Sequence, residues 1–160
     1  MGITIGPADW WIATPDSLNS LIASCPAGTV LPDKSTIICK EGGCAWIVAP
    51  ATTQVSATWN GTTTELVGDK CCVCHWPTLC SAMVSAGFNP SDWCVPSLTH
   101  LQCPGYICRE NWDSFSATCY WSSTEVNATC ACFVNYNSGN ANGFLKTFTY
   151  CVRAFRCVTY

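Results

Sequence analysis

The stretch Tyr120-Trp121-Ser122-Ser123-Thr124-Glu125 decides the reading of this chain. Trp121 is a large apolar anchor. Ser122, Ser123 and Thr124 beside it are short and polar, and such hydroxyls tie neighbouring backbone through side-chain hydrogen bonds. Residues 117–122 read as a strand. Two further blocks share this character. Asp92-Trp93-Cys94-Val95-Pro96-Ser97-Leu98-Thr99-His100-Leu101 sets a second tryptophan anchor, Trp93, ahead of Pro96-Ser97, which opens a short helix. Cys151-Val152-Arg153-Ala154-Phe155-Arg156 lies in the last strand-like run, 144–158. Arg153 and Arg156 are three apart and point to opposite faces of a strand. One of them is expected to pair with Glu125 in the interior, the other to be solvated. All three blocks read as fold determinants ahead of any reading as a ligand site.

Upstream of these blocks the pattern is mixed. Thr14-Pro15-Asp16-Ser17 places a good N-cap before a proline at the first helical position. Leu18, Leu21 and Ile22 then share one face, which predicts a helix over 15–24, ended by Pro26 and Gly28. Residues 28–66 alternate and are rich in Thr, Val and Ile, with turns at Pro32-Asp33 and Glu41-Gly42-Gly43, so short strands are expected there. Trp76-Pro77 opens a second helix that runs to about Ala86. Residues 129–136 form a further strand, and Asn142-Gly143 predicts a hairpin turn before the last run. The order of elements makes the class α+β. Residues 1–24 are an N-terminal arm with a short helix, and 25–160 are the main domain. Trp10 and Trp11 in the arm must bury somewhere, on their own domain or on a neighbouring copy.

Composition narrows the setting. The chain has 160 residues, 15 of them cysteine, a density that signals a disulfide scaffold. The count is odd, so at least one thiol stays free, pairs with another chain or binds something else. Only 11% of residues are charged and the formal net charge is -3; weak repulsion between copies favours packed assemblies, and no basic footprint for nucleic acid exists. No run of about 18 apolar residues suggests a membrane span. The first residues lack the charged and apolar regions of a secretion signal. Either a signal was removed before Met1, or the protein is made in a cytoplasm and oxidises after release, as a lytic virus particle would; Met1 favours the second.

Taken together, the blocks resemble a bacterial and phage C-type-lectin-like family, that of the C-terminal domain of the Legionella collagen-like adhesin. Its "D-W-R-L-P-t-x-x-E-L" segment is similar to residues 92–101, and its "Y-W-S-S-T-E" hallmark to residues 120–125. Its "a-x-x-V-x-F-x-x-G … K … Y-V-R-x-V-R" pattern is similar to Phe133-Val134-Asn135-Tyr136, Gly139, Lys146 and residues 151–156. Weaker echoes lie at Trp76 to Cys80 and at Gly28-Thr29-Val30 with Asp33. The resemblance covers roughly 25–160 and implies a C-type-lectin-like fold of short helices packed on small antiparallel sheets. Two departures concern cysteine: the family usually has Arg where Cys94 stands and an aromatic where Cys151 stands. Cys130 and Cys132 face the same side of one strand and do not bridge each other easily, whereas Cys151 and Cys157 lie in the strand expected nearby. Cross-strand bridges such as Cys132–Cys151 are therefore expected.

Catalytic chemistry finds little support. The chain has two histidines, His75 and His100, with no Ser/His/Asp arrangement and no His pair at ligand spacing. Formylglycine-generating enzymes share the lectin-like fold, but fold alone does not carry function, and none of their cleft motifs appears. Cys71-Cys72-Val73-Cys74-His75 with Cys80 has metal-like density, yet among so many cysteines such spacing arises by chance and disulfides are expected instead. The carboxylate motifs of calcium lectins are missing, and Asn111-Trp112-Asp113 is only a superficial echo. No metal and no cofactor are expected. Asn135, Tyr136, Asn137, Ser138, Asn140 and Asn142 form a Tyr/Asn/Ser-rich loop suited to adaptable recognition, or an ordinary solvated hairpin. The expectation is a non-enzymatic phage virion protein, in a tail fibre, tail tip or capsid surface. Its partners would be other virion proteins or copies of itself, with a trimer among the candidates, and a host-surface glycan or protein. A secreted bacterial glycan-binding adhesin and a purely structural capsid cement are the alternatives.

Overall fold

A computed structural model describes residues 15–61 and 65–160. Trp10 and Trp11 lie outside the described residues. The fold is α+β, as expected, and is built on two small sheets. β1 (Thr36–Glu41) and β2 (Cys44–Val48) form a hairpin. Its turn is Gly42-Gly43, with φ of 58° and 78°, a left-handed conformation in which a side chain would be strained. β2 pairs on its other edge with the C-terminal strand, residues Phe155–Thr159. The second sheet holds β3 (Val55–Ala57), β4 (Cys119–Glu125), β5 (Cys130–Asn135), β6 (Ala141–Leu145) and β7 (Tyr150–Val152). With the C-terminal strand as β8, the orders are β1-β2-β8 and β3-β7-β4-β5-β6, and only β4–β7 is parallel.

Three helices start at or next to the prolines that marked them in the sequence: α1 (Pro15–Ser24), α2 (Pro77–Ser85) and the single turn α3 (Leu98–His100). A wide turn over Leu101–Tyr106 continues α3. Lys40 donates to the carbonyls of Ile22, Ala23 and Cys25 at 2.7–3.0 Å, supplying donors to the unpaired end of α1. Ile22 and Cys25 enter the core with Trp59, Trp76, Trp93 and Trp121, so the end of α1 packs on the main domain.

β4 explains why its sequence carries such weight. Tyr120 and Trp121 are adjacent and therefore face opposite sides of the sheet. Trp121 joins the cluster of Trp59, Trp76 and Trp93, and Tyr120 joins Ile38, Leu101, Trp112, Tyr136 and Phe155. The next residues tie loops to both cores. The Trp121 indole donates to Ala57 O at 3.0 Å, Ser122 Oγ to Cys132 O at 2.7 Å, and Ser123 N to Pro96 O at 2.9 Å. Thr124 Oγ1 accepts from Leu98 N at 3.0 Å, which fixes the start of α3.

The ionic pairs differ from the expected ones. Glu125 does not pair with an arginine. It accepts from Lys146 Nζ at 2.6 Å and from the backbone of Val67 and Gly68 at 3.0 and 2.8 Å. Lys146 is fully buried, also donates to Glu65 O, and lies over the Trp59 ring at 4.8 Å. Arg153, only 2% exposed, pairs with Asp113 and donates to Ala49 O at 2.8 Å and to Ser114 O. It occupies the crossover from β7 to β8, where the chain passes between sheets and strand alternation no longer governs side-chain direction. Asp113 comes from a loop, whereas Glu125 ends β4 on the far side, within reach of the chain after β6.

Two further expectations are corrected. Asn142 and Gly143 are not a turn; both pair within β6, opposite Phe133 and Cys132. The reversal falls earlier, in the turn that follows Asn135, where Gly139 has φ 81°. A Cβ on Gly139 would lie 2.6 Å from the Tyr106 ring, so close packing as well as backbone geometry selects glycine there. The Cys132–Cys151 bridge is not formed. Those residues sit in β5 and β7 with β4 between them, and alternate strands are about 10 Å apart. The bonded pairs are Cys44–Cys157, which clamps β2 to β8, and Cys72–Cys74.

Candidate functional site

A cleft of about 490 Å³ opens between β8, α3 and the segment before it. Its walls come from distant places in the sequence, with Cys71 and Ser123 among them. β2 contributes Trp46, which pairs across the sheet with Cys157 of β8. β8 contributes Phe155 and Arg156. The 92–97 segment contributes Asp92 and Cys94, and α3 contributes His100. The segment is held by a two-way bridge: Cys94 N donates to Phe155 O at 2.8 Å and Phe155 N to Cys94 O at 2.7 Å. Ser97 caps α3 by accepting from His100 N.

The lining is an apolar surface with charged groups at its edge. Trp46 and His100 meet with ring centroids 4.5 Å apart. The Arg156 guanidinium stands 5.5 Å over the Trp93 ring, a cation–π contact that leaves donors of the planar fork for other partners. Asp92 and His100 are exposed, and Trp46 and Arg156 are half-buried. Such a mixture of a stacking surface and convergent polar groups is the usual make-up of a small-ligand site. Burial, then the neighbouring Cys71 thiol, pushes the Cys94 thiol above its ordinary pKa.

A second, more polar pocket of about 230 Å³ is lined by Thr36, Glu110, Trp112 and Asp113 among others. Thr36 Oγ1 and Trp112 Nε1 are buried without a partner, but neither atom reaches solvent, so the larger cleft is the better ligand site. Cys72, Cys74 and His75 place their ligand atoms within 4.8 Å of one another; the two sulfurs are bonded to each other and are thereby withdrawn from metal binding.

The loop singled out in the sequence divides in two. Tyr136 is 2% exposed, and its hydroxyl donates to Leu101 O at 2.7 Å. Its ring packs on Trp112 and Tyr120, and burial raises its phenol pKa strongly. It is a core residue. Asn135 is half-buried and accepts from Asn137 N at 2.9 Å, shaping the turn. Asn137, Ser138, Asn140 and Asn142 are exposed on the hairpin. Of the motif residues, Trp93, Pro96, Tyr120, Trp121, Ser122, Ser123 and Arg153 are buried, and Glu125 and Arg156 are half-buried. The cleft itself went unread in the sequence. Trp46 sat in an ordinary alternating strand and His100 on an ordinary short helix; only the pairing of β2 with β8 brings them together.

No family model matches this chain, and no curated protein matches it at a significant level. The motif resemblance and the geometry therefore carry the functional reading. None of the described helices is long and apolar enough to cross a membrane.

Proposed function

We propose that this chain is a non-enzymatic recognition module of an extracellular particle, a phage virion surface or tail component, with a C-type-lectin-like domain that holds a host-surface ligand in the cleft. The carrying observation is the cleft's composition: the half-buried Trp46 provides an apolar face, and Asp92, His100 and Arg156 surround it with hydrogen-bonding groups. A sugar ring presents just such a combination, an apolar face and a rim of hydroxyls. Strands β2 and β8 carry Trp46 and Arg156, and the Cys44–Cys157 bond ties β2 to β8 at the cleft wall, which suits a protein that must last outside a cell.

The test is a glycan array and a host-cell binding assay on the intact protein, beside Trp46→Ala and Asn140→Ala. Binding lost with Trp46→Ala and kept with Asn140→Ala supports the cleft. The reverse pattern moves the site to the hairpin, and no binding by the wild type removes the recognition reading. A structural role in assembly is the second reading. It is favoured by the apolar strip of Phe144, Leu145 and Phe148, each 38–45% exposed, at and beyond the free edge strand β6. Labelling of this chain in electron micrographs of source particles distinguishes a virion component from a bacterial surface adhesin.

A further inference from the structure

The cleft is bordered by two thiols whose placement has a chemistry of its own. Cys71 and Cys94 both line it, and both are exposed and unbonded. Their backbones run side by side: Val95 N donates to Cys71 O at 2.6 Å, Val73 N to Trp93 O at 3.4 Å, and Cys72 bridges Cys94 in antiparallel fashion. The two thiols are close enough to interact electrostatically. The segment carrying Cys94 is itself anchored to β8 through Phe155, whereas the run from Glu65 to Lys70 on the Cys71 side is mostly exposed.

The geometry points to Cys71 and Cys94 as a dithiol that closes into a disulfide across the rim of the cleft when the protein meets a small-molecule disulfide such as oxidised glutathione. The Cys71 thiolate attacks one sulfur of the oxidant, its S–S bond breaks, and one glutathione thiolate leaves. The Cys94 thiolate then attacks the Cys71 sulfur of the mixed disulfide and releases the second glutathione. Two protein thiols are oxidised to one disulfide, one glutathione disulfide is reduced to two thiols, and the two protons end on the released glutathiones. Cys94 is bridged to Cys72, the residue next to Cys71, and Val95 N holds Cys71 O, a neighbouring placement across paired backbone that suits the short sulfur–sulfur approach a disulfide needs. Among the described residues, no other free thiol lies in the segment paired to Cys94 in this way. The product would fix the 65–76 segment to the wall that carries Arg156 and His100.

The experiment uses the full chain and does not depend on what the cleft binds. Folded protein is incubated with oxidised glutathione, blocked with an alkylating reagent, digested without reduction and mapped by mass spectrometry. The expected result is a linked peptide pair containing Cys71 and Cys94, with a more than tenfold loss of alkylation at both. In Cys94→Ser, Cys71 should stop at the glutathione mixed disulfide, which shows that the folded variant still presents it. Cys71 joined to Cys72 or Cys74, or both thiols still fully alkylated in the wild type, overturns the proposal.

Discussion

Replacing Lys146 by methionine tests the central ionic contact directly. Lys146 is fully buried and gives one hydrogen bond to the Glu125 carboxylate at 2.6 Å, one to Glu65 O at 3.1 Å, and a cation–π contact to Trp59. Methionine fills a similar volume, so the loss is electrostatic. Removing one partner of a buried pair costs about 3–5 kcal/mol, because the other charge is left uncompensated. Glu125 keeps two backbone donors, Val67 N and Gly68 N, which places Lys146→Met near the low end, at about 3 kcal/mol. Against a typical domain stability of about 5–15 kcal/mol that is a large fraction. Adding Glu125→Gln removes the stranded charge, but Val67 N and Gly68 N donate to different carboxylate oxygens, so the amide keeps one of these bonds and sets its NH2 against the other donor; the double variant should recover only about 1 kcal/mol. The pH dependence has a defined sign. Burial opposes ionisation of Glu125, but Lys146 and the two backbone donors outweigh it and hold the carboxyl below its ordinary pKa. A depressed carboxylate contributes stability that is complete above its unfolded pKa, about 4.3, and is lost as pH falls through the folded value. The cost of Lys146→Met should therefore be largest near neutrality and shrink well below about pH 4. Urea unfolding followed by tryptophan fluorescence at both pH values measures it. A cost under about 1 kcal/mol at neutral pH, or an equal cost at both, would refute the reasoning.

Two further expectations follow from the same contacts. Gly139→Ala must seat a Cβ 2.6 Å from the Tyr106 ring at φ 81°; a destabilisation of about 2 kcal/mol or more is expected in thermal unfolding, and a neutral variant would show that the turn relaxes freely. Cys44→Ser opens a bond that spans a sequence separation of 113, for which chain entropy gives about 4–5 kcal/mol; chemical denaturation of wild type and variant under non-reducing conditions measures the difference, and an unchanged midpoint would show that the bond does not constrain the unfolded chain.

Much of this protein was written locally. The dense cysteines announce a crosslinked scaffold, and two of the bonds are formed. Proline at or just before the first turn marked the start of all three helices, with Ser97 as the cap of α3, because helix initiation is settled within a few residues of the backbone. The weight given to Tyr120 through Glu125 was justified for a similar reason: alternation along one strand commits Tyr120 and Trp121 to opposite cores, and hydroxyls next to a buried strand have few partners but the backbone. What failed was whatever depended on distance in sequence. Glu125 and Lys146 are 21 residues apart, and Arg153 and Asp113 are 40 apart. Any of the basic residues could have answered either carboxylate until the β4–β7 pairing and the crossover at Arg153 set which one arrives. The hairpin turn was misplaced because Gly139 is selected by the ring of Tyr106, a neighbour that no local pattern reveals. The cleft was invisible for the same cause. Trp46, Cys71, His100 and Arg156 are unremarkable one by one, and they meet because β8 returns to β2 and a bridge at Cys94 carries α3 alongside. Sequence alone determined the class, the disulfide-rich character and most local elements, through short-range backbone and burial preferences; tertiary structure decided the disulfide and charge partners, the register and the ligand-sized cleft, because these arise only when distant segments share one packed interior.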